Sequence, residues 1–129
     1  MRGERLNDGL SAVAAGQGPL LVVLPGFGRG ADLSVRVPRS VAASATALAA
    51  GFHRTIHSIC RPVRPPAGMT IADLARWHAT ALAQRFGEPV DIMGVSGGGV
   101  TALQLLLPAG RAAPGALRRR QPGQRSRPA

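Results

Sequence analysis

Lysine and tyrosine are absent from these 129 residues, cysteine and tryptophan occur once each, and six acids stand against 16 basic residues, all of them arginine. The single cysteine, Cys60, excludes an intrachain disulfide and suits a reducing interior, where it reads as a small core residue on a strand. No apolar run approaches the ~18 residues of a membrane span. The first 19 residues, which include Arg2, Glu4, Arg5 and Asp8, carry no secretory signal. The expected setting is the cytoplasm, without a membrane partner. Aromatic residues make up only 3%. Arginine without lysine, together with abundant Ala, Gly and Pro, is the mark of a GC-rich coding sequence and not of selection for a basic surface. The formal charge of +10 is unevenly placed: residues 111–129 hold six arginines and no acid, leaving +4 for the rest. Such a tail can engage phosphates. Without stacking aromatics or a recognisable motif it reads as solvated, and nucleic acid is not an expected partner.

What is present is enough for one domain with a modest core, at 45% hydrophobic residues. Residues 4–18 read as a hairpin, with Asn7-Asp8-Gly9 as turn and 10–15 as the returning strand. Leu20 to Leu24 is a continuous apolar run between Pro19 and Pro25, the pattern of a strand buried on both faces. The loop Pro25-Gly26-Phe27-Gly28-Arg29-Gly30 leaves its carboxyl end, the place where open α/β sheets bind ligands. Ser40 to Ala50 predicts a helix with Ser40 as N-cap and Gly51 just past its end. A strand follows over 55–60 and a proline-rich loop over 61–68. Thr70 to Phe86 is the strongest helix signal: Thr70 and Asp73 form a capping-box pattern, and Ile71, Leu74, Leu82 and Phe86 recur at helical spacing. A strand over 90–95 and a helix over 100–107 complete a β-α-β-α-β-α order. That order predicts an α/β fold with a mostly parallel sheet and flanking helices.

Between the last strand and helix stands Gly94-Val95-Ser96-Gly97-Gly98. In a strand–turn–helix context the Gly-x-Ser-x-Gly pattern forms a nucleophile elbow. Side chains at Gly94 or Gly98 would collide with the neighbouring helix or strand, and the turn lifts the Ser96 hydroxyl above the sheet edge. The amide of Gly97, opening the helix, is then free to donate to a developing oxyanion.

Over about residues 5–107 the chain resembles the α/β-hydrolase family. Residues 19–30 look like its third strand and oxyanion loop, with Pro25 where the family usually has His. Residues 70–98 look like its second helix, fifth strand and elbow, and the elbow matches in full. The resemblance implies Ser96 as nucleophile, the backbone amides of Phe27 and Gly97 as oxyanion hole, and Gly26, Gly94 and Gly98 as the glycines that shape loop and elbow. It further implies an ester, thioester or amide of a small acyl substrate, with no cofactor and no metal.

The family places its acid and histidine after the serine, yet no Asp, Glu or His follows Ser96 here. His53, His57 and His78 lie upstream and read as surface or interface residues. Asp91 opens the strand that carries the elbow and should sit roughly 15 Å from Ser96, at the strand's other end. Asp32 reads as a solvated or loop-capping acid. The expectation is therefore an incomplete α/β-hydrolase domain over 1–107, truncated or frameshifted and impaired. Residues 108–129 would form a disordered basic tail of the composition that a GC-rich region yields out of frame. The strand over 90–95 would then be an uncovered apolar edge, open to self-association. Two other readings stand beside this one. The chain could serve as a non-catalytic binding module or subunit, with a second polypeptide supplying acid and histidine. Gly26-x-Gly28-x-x-Ala31 also matches a relaxed dinucleotide fingerprint. Against a nucleotide-binding domain, no acid occurs between Asp32 and Asp73 to meet a ribose, and Pro38 interrupts the helix that should open at the glycines.

Overall fold

Apolar five-residue runs between breakers become strands here because both of their faces find cover. The computed structural model describes residues 1–26, 30–62, 67–106 and 117–119. Its strands are β1 (Gly3–Arg5), β2 (Ser11–Ala15), β3 (Leu20–Leu24), β4 (Thr55–Cys60), β5 (Val90–Gly94) and β6 (Leu117–Arg119). Its helices are α1 (Arg39–Phe52), α2 (Ile71–Phe86) and α3 (Gly97–Leu105). Among the described residues the sheet runs β1-β2-β4-β3-β5-β6. The hairpin β1–β2 and the pair β2–β4 are antiparallel, whereas β4–β3, β3–β5 and β5–β6 are parallel. This is the α/β architecture expected, with a mixed sheet.

Alternation along the strands divides the core in two. Leu10, Ala12, Val22, Leu24, Ile59, Val90 and Ile92 face α2 and α3, where Ala75, Ala79, Leu82, Ala102 and Leu105 meet them. Leu21, Val23, Ile56 and Met93 face the other way, onto Ala45 and Ala49 of α1. Each large side chain taken fully out of water on either face adds about 1.5–3 kcal/mol.

The helix ends show where local signals governed and where they did not. Thr70 caps α2 as expected, accepting from the Asp73 amide while Asp73 accepts from the Thr70 amide, and Gly87 closes the helix at φ 66°. Helix α1 corrects the expected cap. It starts at Arg39 behind Pro38, whose carbonyl accepts from the Ala42 amide, and no side chain caps it. It also runs through Gly51 to Phe52, and His53 takes the left-handed position at φ 53°, ψ 46°. Helix α3 begins at Gly97 and not at Val100. Three consecutive glycines predict a poor helix start, but the geometry of the turn before them imposes one.

The carboxyl-terminal stretch also departs from expectation. Leu117–Arg119 pairs in parallel with β5, with Val90 opposite Leu117 and Ile92 opposite Arg119. β5 is therefore an interior strand and not the uncovered edge expected. Its unpaired N–H and C=O groups form a template that even a three-residue segment can satisfy. The rest of 108–129 lies outside the described residues. No described helix is long and apolar enough to cross a membrane.

Candidate functional site

The parallel pairing of β3 with β5 fixes the site. Leu24 lies opposite Gly94, so both chains leave the sheet at the same level. One more hydrogen bond, from the Val95 amide to the Leu24 carbonyl at 2.9 Å, carries the pairing into the turn. Gly26 consequently lies against Ser96: a Cβ on Gly26 would stand 3.4 Å from the Ser96 Cβ and 3.8 Å from its Oγ.

Ser96 is held at φ 53°, ψ −119°, a conformation that L-residues rarely adopt and that costs of order 1–3 kcal/mol. Its side chain makes no capping hydrogen bond, and the residue is exposed. The turn is closed from behind. The Gly98 amide donates to the Val95 carbonyl and the Gly99 amide to the Ser96 carbonyl, each at 2.9 Å. Gly94 and Gly98 are required by close approach. A Cβ on Gly94 would lie 2.5 Å from the Gly99 Cα, and one on Gly98 would lie 1.8 Å from the Leu24 carbonyl oxygen. Helix α3 thus starts hard against both central strands, with Gly97 as its first residue. First-turn amides have no acceptor within a helix and carry its positive partial charge, which suits an oxyanion forming beside Ser96. Phe27, the other expected donor, lies outside the described residues, as do Gly28 and Arg29.

None of the upstream histidines reaches this turn. His57 is level with Val22 and Ile92, two strands across from β5 and four residues short of Ser96. That separation is roughly 16 Å at ~3.3 Å per residue and ~4.8 Å per strand. Its ring packs edge-on against Phe86 at 5.2 Å, and its Nδ1 lies 3.9 Å from a Glu4 carboxylate oxygen that Arg85 also holds. Burial pushes its pKa below the ordinary imidazole value; Glu4 opposes the shift and Arg85 adds to it. His78 is buried in α2, its Nδ1–H donating to the Leu74 carbonyl at 2.8 Å, and burial lowers its pKa too. His53 closes α1 at the opposite edge of the sheet.

The acids are likewise occupied elsewhere. Asp91 pairs with Arg54 at 2.9 Å; both side chains are largely buried, and Arg54 also donates to the carbonyls of Pro19 and Leu20. This structural clamp joins β3, β4 and β5 at the end of the sheet away from Ser96. Asp32 fulfils the loop-capping role: it accepts from the amide and hydroxyl of Ser34 and pairs with Arg5 at 2.6 Å. The Ser34 hydroxyl, and then Arg5, hold its carboxyl below the usual carboxylate range.

Two polar groups gave no signal in the sequence. Ser11, the first residue of β2, is fully buried at the same sheet edge as Ser96, bonded to the loop that follows β3. Thr101, one turn into α3 from Gly97, is 2% exposed, and its Oγ1 has no hydrogen-bond partner among the described residues. Both hydroxyls belong to residue types common on surfaces, and only the fold reveals their burial.

The arrangement presents an exposed hydroxyl at a strained turn, beside the amino end of a helix, with no base in reach among the described residues. Comparison with protein-family models, with curated proteins and with solved structures finds no match for the chain.

Proposed function

We propose that the chain carries the nucleophile and part of the oxyanion hole of an α/β-hydrolase-type serine hydrolase, directed at the ester, thioester or amide carbonyl of a small acyl substrate. The observation that carries this reading is the backbone of Ser96. A positive φ on a serine between a parallel strand and a helix, wedged between two glycines that no other residue can replace, is strain kept at one hydroxyl. The sheet order supports it as well, because it brings the loop after β3 and the turn after β5 side by side. Ser96 would attack the carbonyl, and the Gly97 amide, with that of Phe27 as the resemblance implies, would stabilise the tetrahedral oxyanion. No Asp, Glu or His follows Ser96, so on this reading the proton acceptor for Ser96 and the acid that orients it would have to be supplied from elsewhere, and this chain by itself is impaired. The dinucleotide reading is weaker, since α1 opens only at Arg39, well beyond the glycines that would cradle a pyrophosphate.

The test separates acylation from turnover. Without its base, purified 1–129 should hydrolyse no p-nitrophenyl ester in a Ser96-dependent way. With imidazole added as proton acceptor, p-nitrophenyl acetate should transfer its acetyl group to the Ser96 oxygen, releasing p-nitrophenolate and giving the serine proton to imidazole. Once imidazole is removed by rapid desalting the acyl-enzyme should persist, because deacylation needs a base as well. Ser34, Ser40 and Ser44 are exposed and serve as internal references. Peptide mapping by mass spectrometry should show Ser96 acetylated at least ~10-fold faster than they are, a modest part of what one oxyanion donor contributes. Equal labelling of all four serines would remove the basis for the proposal.

A further inference from the structure

We infer that the outer face of α3 is a shelf for the substrate's acyl chain, an aliphatic one of medium length, with Val100 and Leu103 as its floor; the inference rests on the hydrolase reading. Of the large hydrophobic side chains exposed among the described residues, Val95, Val100 and Leu103 cluster in the short stretch that also holds Ser96, each 44–49% exposed. Single exposed aliphatics are ordinary on a surface, but a cluster beside an exposed nucleophile points to a ligand. Val100 and Leu103 follow Ser96 at the i+4 and i+7 positions, the spacing that keeps side chains on one face of a helix. Helical side chains lean toward the amino end, so Val100 covers the first turn beside Ser96 and Leu103 the turn behind it. At ~1.5 Å of rise per residue, Leu103 lies about 10 Å along the axis from Ser96, the reach of a medium-length acyl chain.

The polarity of α3 is a second, independent observation. Its polar side chains are Thr101 and Gln104. Thr101 is turned inward, 2% exposed, and its Oγ1 has no partner among the described residues, while Val100 and Leu103 stand outside. A helix that is apolar all round is ordinarily covered on every side. The inner side of α3 meets α2 and the sheet through Ala102 and Leu105. Its outer side is apolar where folding alone would favour polar residues. The occupant that fits is the acyl chain: attack bonds the acyl carbon to the Ser96 oxygen, so the chain starts at the near end of the strip. A second copy fits less well. No acid follows Asp91 while six arginines do, so two such faces repel each other.

The experiment compares p-nitrophenyl acetate with p-nitrophenyl hexanoate in the imidazole-assisted reaction of the full chain. In each, the acyl group passes to the Ser96 oxygen, p-nitrophenolate leaves and the serine proton goes to imidazole. Dividing the Ser96 rate by that of Ser34, Ser40 and Ser44 cancels the intrinsic reactivity of the two esters. Complete burial of a methylene corresponds to roughly fourfold; a shelf covers one side only, so about twofold for each added methylene, or roughly 10-fold in all, is expected for hexanoate over acetate. Val100→Thr with Leu103→Gln should bring that advantage to within about threefold and leave the acetate rate within about twofold. Leu103→Ala alone, the milder variant should the pair fail to fold, should cut the advantage about threefold. Val35→Thr, at an exposed aliphatic in the loop before α1, should change neither. A chain-length ratio at Ser96 equal to that at the other serines, or one that survives the double variant, would overturn the inference and leave the hydrolase reading standing. So would a dimer, seen by sedimentation velocity, that Leu103→Gln dissolves. If Ser96 shows no preference over the exposed serines even with acetate, the hydrolase reading falls and the inference falls with it.

Discussion

The strain at Ser96 makes a prediction that is independent of any substrate. Replacing it with glycine removes the Cβ that makes φ 53°, ψ −119° unfavourable. The conformation costs about 1–3 kcal/mol. Glycine returns roughly 0.4–1 kcal/mol of that through the greater freedom of the unfolded chain. The hydroxyl is exposed and makes no capping bond, so its loss is close to neutral. Ser96→Gly should therefore stabilise the fold by about 1 kcal/mol. With an unfolding entropy of about 2.1 cal/mol/K per residue, a chain of 129 residues gains roughly 4 °C in Tm. Ser96→Ala keeps the Cβ and the strain, and should stay within about 0.5 kcal/mol of wild type. Urea and thermal unfolding followed by far-UV circular dichroism measure both variants. If glycine is no more stable than alanine at this position, the turn stores no strain, and the reasoning that marks Ser96 as a functional residue loses its footing.

Two other outcomes follow from the polar groups away from the turn. Arg54→Ala should cost about 3 kcal/mol in urea unfolding, because it strips a largely buried carboxylate, Asp91, of its guanidinium partner; the double variant Arg54→Met with Asp91→Leu should recover much of the loss, and an equally unstable double variant would count against the clamp. The two buried histidines give stability a pH dependence. Burial depresses their folded-state pKa below the unfolded value near 6.5. The unfolded chain therefore binds protons first as pH falls, so this contribution is full above that value and is lost on the way down to the folded pKa. Unfolding midpoints should drop between pH 7.5 and pH 5.5, and His57→Gln should flatten the dependence; a midpoint that rises on acidification would refute the assignment.

The sequence is legible where a local signal and the tertiary environment agree. Leu20–Leu24 is a strand because proline bounds it on both sides and the sheet covers both faces. Thr70 and Asp73 start α2 because their side chains satisfy each other's backbone donors. Legibility fails where distant contacts decide. Ser40 looks like a cap, but Pro38 already fixes the entry to α1, and the serine ends up exposed inside the helix. Leu117-Arg118-Arg119 has neither helical nor strand periodicity, and only the unsatisfied edge of β5 gives it a strand's conformation. For the site, Gly94-Val95-Ser96-Gly97-Gly98 announces itself as a pattern, and two of its glycines have a steric reason: Gly94 against Gly99 and Gly98 against the Leu24 carbonyl. The upstream histidines read as surface or interface residues; His53 is exposed, but His57 and His78 are buried, because the helix–sheet packing that covers them has no local signal. Ser11 was invisible, since its partners are about 20 residues away and its type gives no hint of burial.

The clamp between Arg54 and Asp91 turns β5 into a ruler. Asp91 is pinned at one end of the strand by the guanidinium, and Val95 is pinned at the other by the Leu24 carbonyl. The number of residues between the two pins is therefore set by the sheet. Deleting one residue there would draw the serine down by about 3.3 Å and turn its side chain toward the opposite face. Adding one would raise it out of the turn. Loops on either side can change length without moving the hydroxyl, and this strand cannot. Insertions and deletions should accordingly be tolerated in the loop after β3 before they are tolerated between residue 91 and the turn at 94–98.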